Sequence, residues 1–471
     1  MGREIPSSRF TKHDFSAFNQ RLRAETDLLS EYFHNHRFDC NHDVGGFEVE
    51  AWLVDKNAVP SPVNEKFLMQ LNDPMVVHEL ASFNIELNVM PQTLQGNALQ
   101  FLHDELVLIW NKCRKTATAM DADIMAIGIH PAVSEEQLTL QHMSNSRRYR
   151  ALNEQVIALR KGSPLTLHIH GKDHMEAIHH DVMLEAGTTS FQIHLQITQN
   201  KAVRAYNASQ IASAPLVAVS ANSPFIFGYA LWDESRIPLF QQSVDVGEEY
   251  KKRVTFSHGY ARGTLLSCFM ENLEDYPVLI PILFEEKPDK FPHLRFHNGT
   301  IWRWNRPLIG FDNQGSPHLR IENRVVPSGP TTVDMIANAA FYWGLVQSLT
   351  LLPDAPENII DFPIVRQNFY NAARYSLDSS IQWLDGELHP VKSILLHMLL
   401  PMAREGLLQL GINETDCDHY LGIIENRITT QQNGAAWQRR WVEKHGKDMD
   451  ALSKVYLDHQ HSQRPVHEWD V

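Results

Sequence analysis

Four short segments of this chain alternate apolar and polar residues, and in each the polar face carries groups able to hold a cation or an anion. A period of two is the spacing of a half-buried β-strand, whose successive side chains point to opposite faces. In GFEVEAWLVD, Phe47, Val49, Ala51 and Leu53 fall on one face and Glu48 and Glu50 on the other. In ASFNIELNVMPQ, Phe83, Ile85, Leu87 and Val89 oppose Asn84, Glu86 and Asn88. In TTSFQIHLQITQ, Phe191, Ile193, Leu195 and Ile197 oppose Gln192, His194 and Gln196. In HLRIENRVV, Leu319, Ile321, Asn323 and Val325 alternate with Arg320, Glu322 and Arg324. Each segment alone also fits an ordinary strand face turned to water, and Arg-Glu-Arg also fits a ladder of cross-strand ion pairs. Asparagine on both sides of Glu86 fits a plain strand poorly, because strands are depleted in it.

The rest of the chain sets these strands in a mixed framework. Apolar residues recur at helical spacing over 15–34, 98–118 and 147–159, between stretches of period two that run from Gly45 to Pro330. Beyond Pro330 the alternation largely stops: Thr331 or Thr332 can cap a helix through Leu345, and 364–384 and 391–410 also read as helical. This predicts an α+β fold around an antiparallel sheet over residues 1–350, with a mostly helical region over 351–471 packed on the same domain. With 43% hydrophobic residues the chain has ample material for a core. The apolar run 212–232 contains Pro215, Asn222 and Pro224, so it reads as buried core and not as a membrane span.

Charge and cysteine content narrow the function. A net charge of −14 spread along the chain argues against a nucleic-acid surface and for small or metal-escorted anionic ligands. Cys40, Cys113, Cys268 and Cys417 lie far apart, without the short spacing of a zinc or redox motif, and read as reduced thiols. The first residues lack the apolar stretch of a signal peptide, which places the expectation in the cytoplasm, away from membranes.

Together the four polar faces offer Glu48, Glu50, Glu86 and Glu322 as carboxylate ligands, His194 with Gln192 and Gln196 as polar neighbours, and two fixed guanidinium groups. Carboxylates two apart on a strand are roughly 6 to 7 Å apart at the backbone, close enough to flank a pair of hard cations. An oxygen-rich set with one histidine favours magnesium or manganese over zinc. Arginines beside such a set suit phosphoryl transfer.

Glu48-Val49-Glu50, Ile85-Glu86-Leu87-Asn88, Gln192-Ile193-His194 with Gln196, and Arg320-Ile321-Glu322-Asn323-Arg324 occur in an order that resembles the plant and proteobacterial glutamate-cysteine ligases and the bacterial carboxylate-amine ligases. Weaker likeness extends to Arg147-Arg148-Tyr149-Arg150 and to residues 368–378. The resemblance implies a glutamine-synthetase-like fold, in which a curved antiparallel sheet forms a funnel around the metal ions. It implies Glu48, Glu50, Glu86 and Glu322 as metal ligands, His194 near the nucleotide phosphates, and Arg320 and Arg324 facing the transferred phosphoryl group, so that Arg320, Arg324 and Glu50 form the candidate catalytic set. The implied reaction spends ATP, with Mg2+ or Mn2+, to activate the side-chain carboxylate of glutamate as an acyl-phosphate that cysteine or another amine attacks. A guanidino kinase and a nucleotide-sensing protein without turnover remain alternatives on the same fold, and a homodimer stays open.

Three further segments invite a reading. Asn298-Gly299 is a two-residue hairpin signal between aromatic strands, where Arg303 and Arg306 would reach a substrate carboxylate or a nucleotide phosphate, or else pack across the hairpin. His168, His170, His174, His179 and His180 match no compact zinc-hydrolase spacing, leaving a metal site or a lid open. The stretch Asn433 to Gln438 either closes over a site or joins two helices through a buried Trp437.

Overall fold

The computed structural model describes residues 4–38 and 42–471, so Cys40 lies outside the described residues. Its centre is an eight-stranded antiparallel sheet. The strands are β1 (Val44–Asp55), β2 (Val76–His78), β3 (Asn84–Asn88), β4 (Gln92–Thr93), β5 (Ala122–Met125), β6 (Phe191–Ile197), β7 (Asn305–Phe311) and β8 (Pro317–Asn323). The main order is β7-β8-β6-β1-β3-β2, with β4 and β5 also pairing with β1. All four segments with alternating faces are therefore strands, and three of them, β8, β6 and β1, lie side by side with β3 next.

The alternation decides which face is buried. Phe47, Val49, Ala51 and Leu53 of β1, Ile85 and Leu87 of β3, Phe191 and Ile193 of β6, and Leu319 and Ile321 of β8 are almost fully buried. Each such large side chain contributes roughly 1.5–3 kcal/mol by leaving water. The buried face packs on two helices, α1 (Ala202–Ser220) and α2 (Thr332–Leu351), which are apolar all round and buried along nearly their whole length. The Thr331 hydroxyl accepts from the Asp334 N–H and caps α2, as its sequence predicts. Trp343 of α2 donates its indole N–H to the His194 carbonyl at 3.1 Å, tying the helix to the middle strand. Gly45 makes this approach feasible: a Cβ there would lie 2.6 Å from Leu94 and 2.7 Å from Trp343.

The helices at 98–118 and 147–159 form over the expected residues, and the first helix, Lys12–His34, is opened by a Thr11/Asp14 capping box. Trp437 is buried on the helix Gly434–His445, against Tyr456, His459 and Trp469, so this stretch joins helices and does not cover a site. The helical expectation for 364–384 needs correction. The helix ends at Tyr375, Ser376 takes a positive φ, and a small hairpin follows, Ser380–Gln382 with Leu388–Pro390, turning through Asp385-Gly386. The Asn368 side chain pairs with the backbone of Gln382 in both directions, which satisfies the hairpin edge that a helix would have consumed.

The Asn298-Gly299 hairpin is also absent. Asn298 ends the helix Pro292–Asn298, and its buried amide donates to the Pro307 carbonyl and accepts from Asn272. These tertiary bonds outweigh the local turn preference. The real hairpin joins β7 to β8, where the Asp312 carboxylate accepts from the N–H groups of Gln314 and Ser316. Among the described residues Cys113, Cys268 and Cys417 are buried free thiols, and no helix is long and apolar enough to cross a membrane.

Candidate active site

The polar face of the sheet opens on a cavity of about 390 Å³, within the range of small-molecule sites. Register sets its floor. Gly46 of β1, His194 of β6, Glu322 of β8 and Arg306 of β7 lie in one row across four strands. The next residues of β1 on that face, Glu48 and Glu50, sit opposite Gln192 and Glu86 or beside them.

The row brings three ligand groups together. His194 Nε2 lies 3.7 Å from Glu48 Oε1 and 3.6 Å from Glu322 Oε1, and ligand atoms of all three fall within 4.8 Å of one another. Both distances are too long for a hydrogen bond, so the buried Nε2 has no hydrogen-bond partner among the described residues. A lone imidazole nitrogen between two carboxylates fits a divalent cation, and a hard one is favoured because more carboxylates follow immediately.

Those carboxylates are Glu50 and Glu86, direct cross-strand neighbours, with Glu79 lining the same end of the cavity. Burial first and then the Glu79 charge push the Glu50 carboxyl up to about 7. Burial, Glu48 and Glu79 together push Glu86 well above the usual range. Glu185, also on the wall, is raised to about 8 by burial and then by Glu79 and Glu50. Acids this crowded repel one another until a cation joins them. Glu50 is nonetheless aimed, accepting from the Ser190 N–H and from Gln192 Nε2, each at 2.7 Å.

Glu322 is the opposite case. Burial would raise it, but the Arg306 and Arg324 guanidiniums override this and hold it well below the ordinary carboxylate range. Arg306 grips it with two parallel bonds of 2.8 and 3.0 Å. Arg324 adds a contact at 3.3 Å and a close bond to Gln192, which links the basic group to Glu50. Arg320 lines the cavity beyond them, and the Nε atoms of Arg320 and Arg324 are buried without hydrogen-bond partners among the described residues. Arg295, on the helix Pro292–Asn298, faces the same space, and its acidity is shifted by burial and then by repulsion from Arg320. Two mutually repelling guanidiniums with open donors suit a polyanion. Ile280, Phe284, Phe296 and Trp302 supply an apolar wall.

Of the residues expected from sequence, Glu48, Glu50, Glu86, Glu322, Gln192, Arg306, Arg320 and Arg324 line this cavity. His194 is not itself a lining residue but lies in the adjoining row, between the carboxylates of Glu48 and Glu322, which are. Two of the expected residues are not brought to its lining. Gln196, opposite Arg320 on β6, is not among the lining residues. Arg303, on the short strand Trp302–Arg303 outside the main sheet, does not line the cavity either and packs against Glu271 at 3.1 Å, the Asn272 side chain and the Tyr276 ring. Sequence reasoning missed Glu79, Glu185 and Arg295, which lie outside any alternating segment. Arg148 and Tyr149, present only as a faint motif, do reach the wall, with the Tyr149 hydroxyl 3.4 Å from Glu79 Oε2.

No curated protein sequence matches the chain. Among solved structures it resembles glutamate-cysteine ligase (gshA) from Francisella tularensis in complex with AMP, at 12% identity and a TM-score of 0.54, over 92% of this chain and 90% of that one. It also resembles a bifunctional glutathione synthetase from Pasteurella multocida, at 10% identity and a TM-score of 0.52, over 92% of this chain and 54% of that one. At these identities the likeness speaks to the fold. A sequence profile for glutamate-cysteine ligase family 2 (GCS2) matches residues 44–458, which takes in the whole sheet and most of the helices behind it, and the chain belongs to that family.

Proposed function

We propose that this protein is an ATP-dependent carboxylate-amine ligase that forms a γ-glutamyl amide through an acyl-phosphate. Family membership supports the carboxylate-amine ligase class. The observation that carries the finer reading is the division of one cavity into a carboxylate end and an arginine end, with a lone imidazole in the adjoining row.

A carboxylate does not condense with an amine in water unless its oxygen is first made a leaving group, and phosphate from ATP supplies one. Glu48, His194 and Glu322 would hold one Mg2+ or Mn2+, and Glu50, Glu79 and Glu86 a second. Bound there, such cations neutralise the charge of the phosphoryl oxygens. Arg320 and Arg295 would present donors to the polyphosphate, and Arg324, held by Glu322 and Gln192, would stabilise the transferred phosphoryl group. The apolar wall excludes water, which otherwise hydrolyses an acyl-phosphate. The amine then attacks the acyl carbon, the C–O bond to phosphate breaks, and phosphate leaves with the oxygen that came from the carboxylate.

The test is phosphate release by purified protein with Mg2+, ATP and glutamate, scanned across cysteine and a panel of small amines. Release that needs both glutamate and one amine is expected. Release that needs neither, or that a guanidino compound alone supports, overturns the ligase reading in favour of an ATPase or a kinase.

A further inference from the structure

The histidine-rich stretch, which the cavity does not use, forms a separate antiparallel hairpin, Leu165–His170 with His174–His179. Its inner face, Leu165, Leu167, Ile169, Met175 and Ala177, is buried against the body. Its outer face pairs His168 with Glu176 and His170 with His174. Directly opposed residues on one strand face have Cβ atoms about 5 Å apart, so four metal-binding side chains occupy adjacent corners.

We propose that this outer face is a second cation site, distinct from the cavity, for a borderline divalent transition metal such as zinc, held by His168, His174 and Glu176 with His170 alongside. Glu176 Oε1 lies 2.8 Å from His174 Nε2 and 3.6 Å from His168 Nδ1. Ligand atoms around tetrahedral zinc are roughly 3.3 Å apart, so each imidazole lies near the required distance from Glu176, while the two imidazoles, not within 4.8 Å of one another as they stand, close on one ion by side-chain rotation. The His170 ring stacks on His174 at 3.9 Å between centroids, which places a third imidazole within a rotamer change of the same point. The donor set, imidazole nitrogens and one carboxylate on a solvent-facing surface, suits zinc, nickel or copper over magnesium.

The backbone beneath is fixed, while the ligating side chains are free to adjust. Gln242 bonds the N–H and the carbonyl of His168, Trp232 donates to the His170 carbonyl, and Asp173 exchanges bonds with Ala230 through both its N–H and its carboxylate. A site built on anchored strands holds its geometry better than one on a loose loop.

Cobalt is the probe, because tetrahedral Co2+ absorbs strongly in the visible. Untagged full-length protein is titrated with Co2+ in excess Mg2+, and zinc displacement is then followed. One equivalent with tetrahedral bands is expected. The bands should vanish, and affinity fall by at least about 10-fold, in His168→Ala/His174→Ala, since even groups that only orient ligands act on that scale. Glu176→Gln should weaken binding in the same direction, while His194→Ala beside the cavity should leave the bands intact. Absence of tetrahedral bands in the wild type, their persistence in the double variant, or their loss in His194→Ala overturns the proposal. All the altered hairpin side chains face solvent, so folding is not at issue.

Discussion

Glu322 and Glu86 are both strand carboxylates on the polar face of one sheet, yet the protein treats them in opposite ways. Glu322 is clasped by Arg306 and Arg324 and kept charged, whereas Glu86 accepts from the Asn88 amide at 3.0 Å and is surrounded by other acids. Glu322 is thus already paired within the protein, and the carboxylate end is built to be completed by a cation. The paired end is preorganised for an anionic group at no further reorganisation, while the unpaired end stores repulsion that a divalent ion relieves.

If that division is right, the largest effect should come from the arginine that joins the two ends. Arg324→Lys is expected to cut phosphate release at saturating substrate by about 10³-fold, since an ammonium cannot reproduce the fixed contacts to both Glu322 and Gln192. A loss below tenfold would mean that the arginine is only part of the scaffold.

The stability of the cation-free protein should split the two ends by sign. Arg306→Ala is expected to destabilise by about 3–5 kcal/mol, because it leaves a buried carboxylate short of its main partner. Glu86→Gln, which removes a crowded charge and keeps an acceptor for Asn88, should stabilise the same protein by about 1 kcal/mol while abolishing turnover. Thermal unfolding in a chelating buffer reads both, and the same sign for both variants would erase the contrast.

Acidity gives a third way to break it. Glu50 and Glu185 keep their protons in the folded protein up to about 7 and about 8, whereas the unfolded chain releases them near 4.5. The folded state therefore binds more protons across that window, and stability is fully present below it and lost as pH rises. From pH 5 to 8 the cation-free protein should lose about 6 kcal/mol, and saturating Mg2+ should flatten the decline. Stability that rises with pH would contradict the reading. Smallest of all, Arg295→Ala should raise the KM for ATP about tenfold with little change in kcat or melting temperature, as loss of a charge-assisted contact to phosphate predicts.

Much of this site could be read before the fold was known, because a strand face is a parity rule and parity is visible in sequence. Glu48 with Glu50, and Arg320 with Glu322 and Arg324, needed nothing more. Arg303 and Arg306 were not separable this way, because Arg303 lies on the short strand Trp302–Arg303, paired with Val254–Thr255, and only Arg306 lies on a strand of the main sheet. Register was not legible. Only the pairing of Gly46, His194 and Glu322 reveals that the imidazole sits between two carboxylates. Glu79, Glu185 and Arg295 come from a loop, a short turn and a small helix, where no periodicity marks which way a side chain points. Asn298-Gly299 misled because tertiary hydrogen bonds to Asn298 override a local turn preference.

The most direct test of the central claim follows the oxygen. Glutamate labelled with ¹⁸O in its side-chain carboxylate is turned over with Mg2+, ATP and the amine that supports phosphate release, and the phosphate is analysed by mass. Activation through an acyl-phosphate predicts one ¹⁸O in each phosphate released. Phosphate that carries no label, with its new oxygen from water, would show that this cavity hydrolyses ATP without activating a carboxylate, and the account would fail.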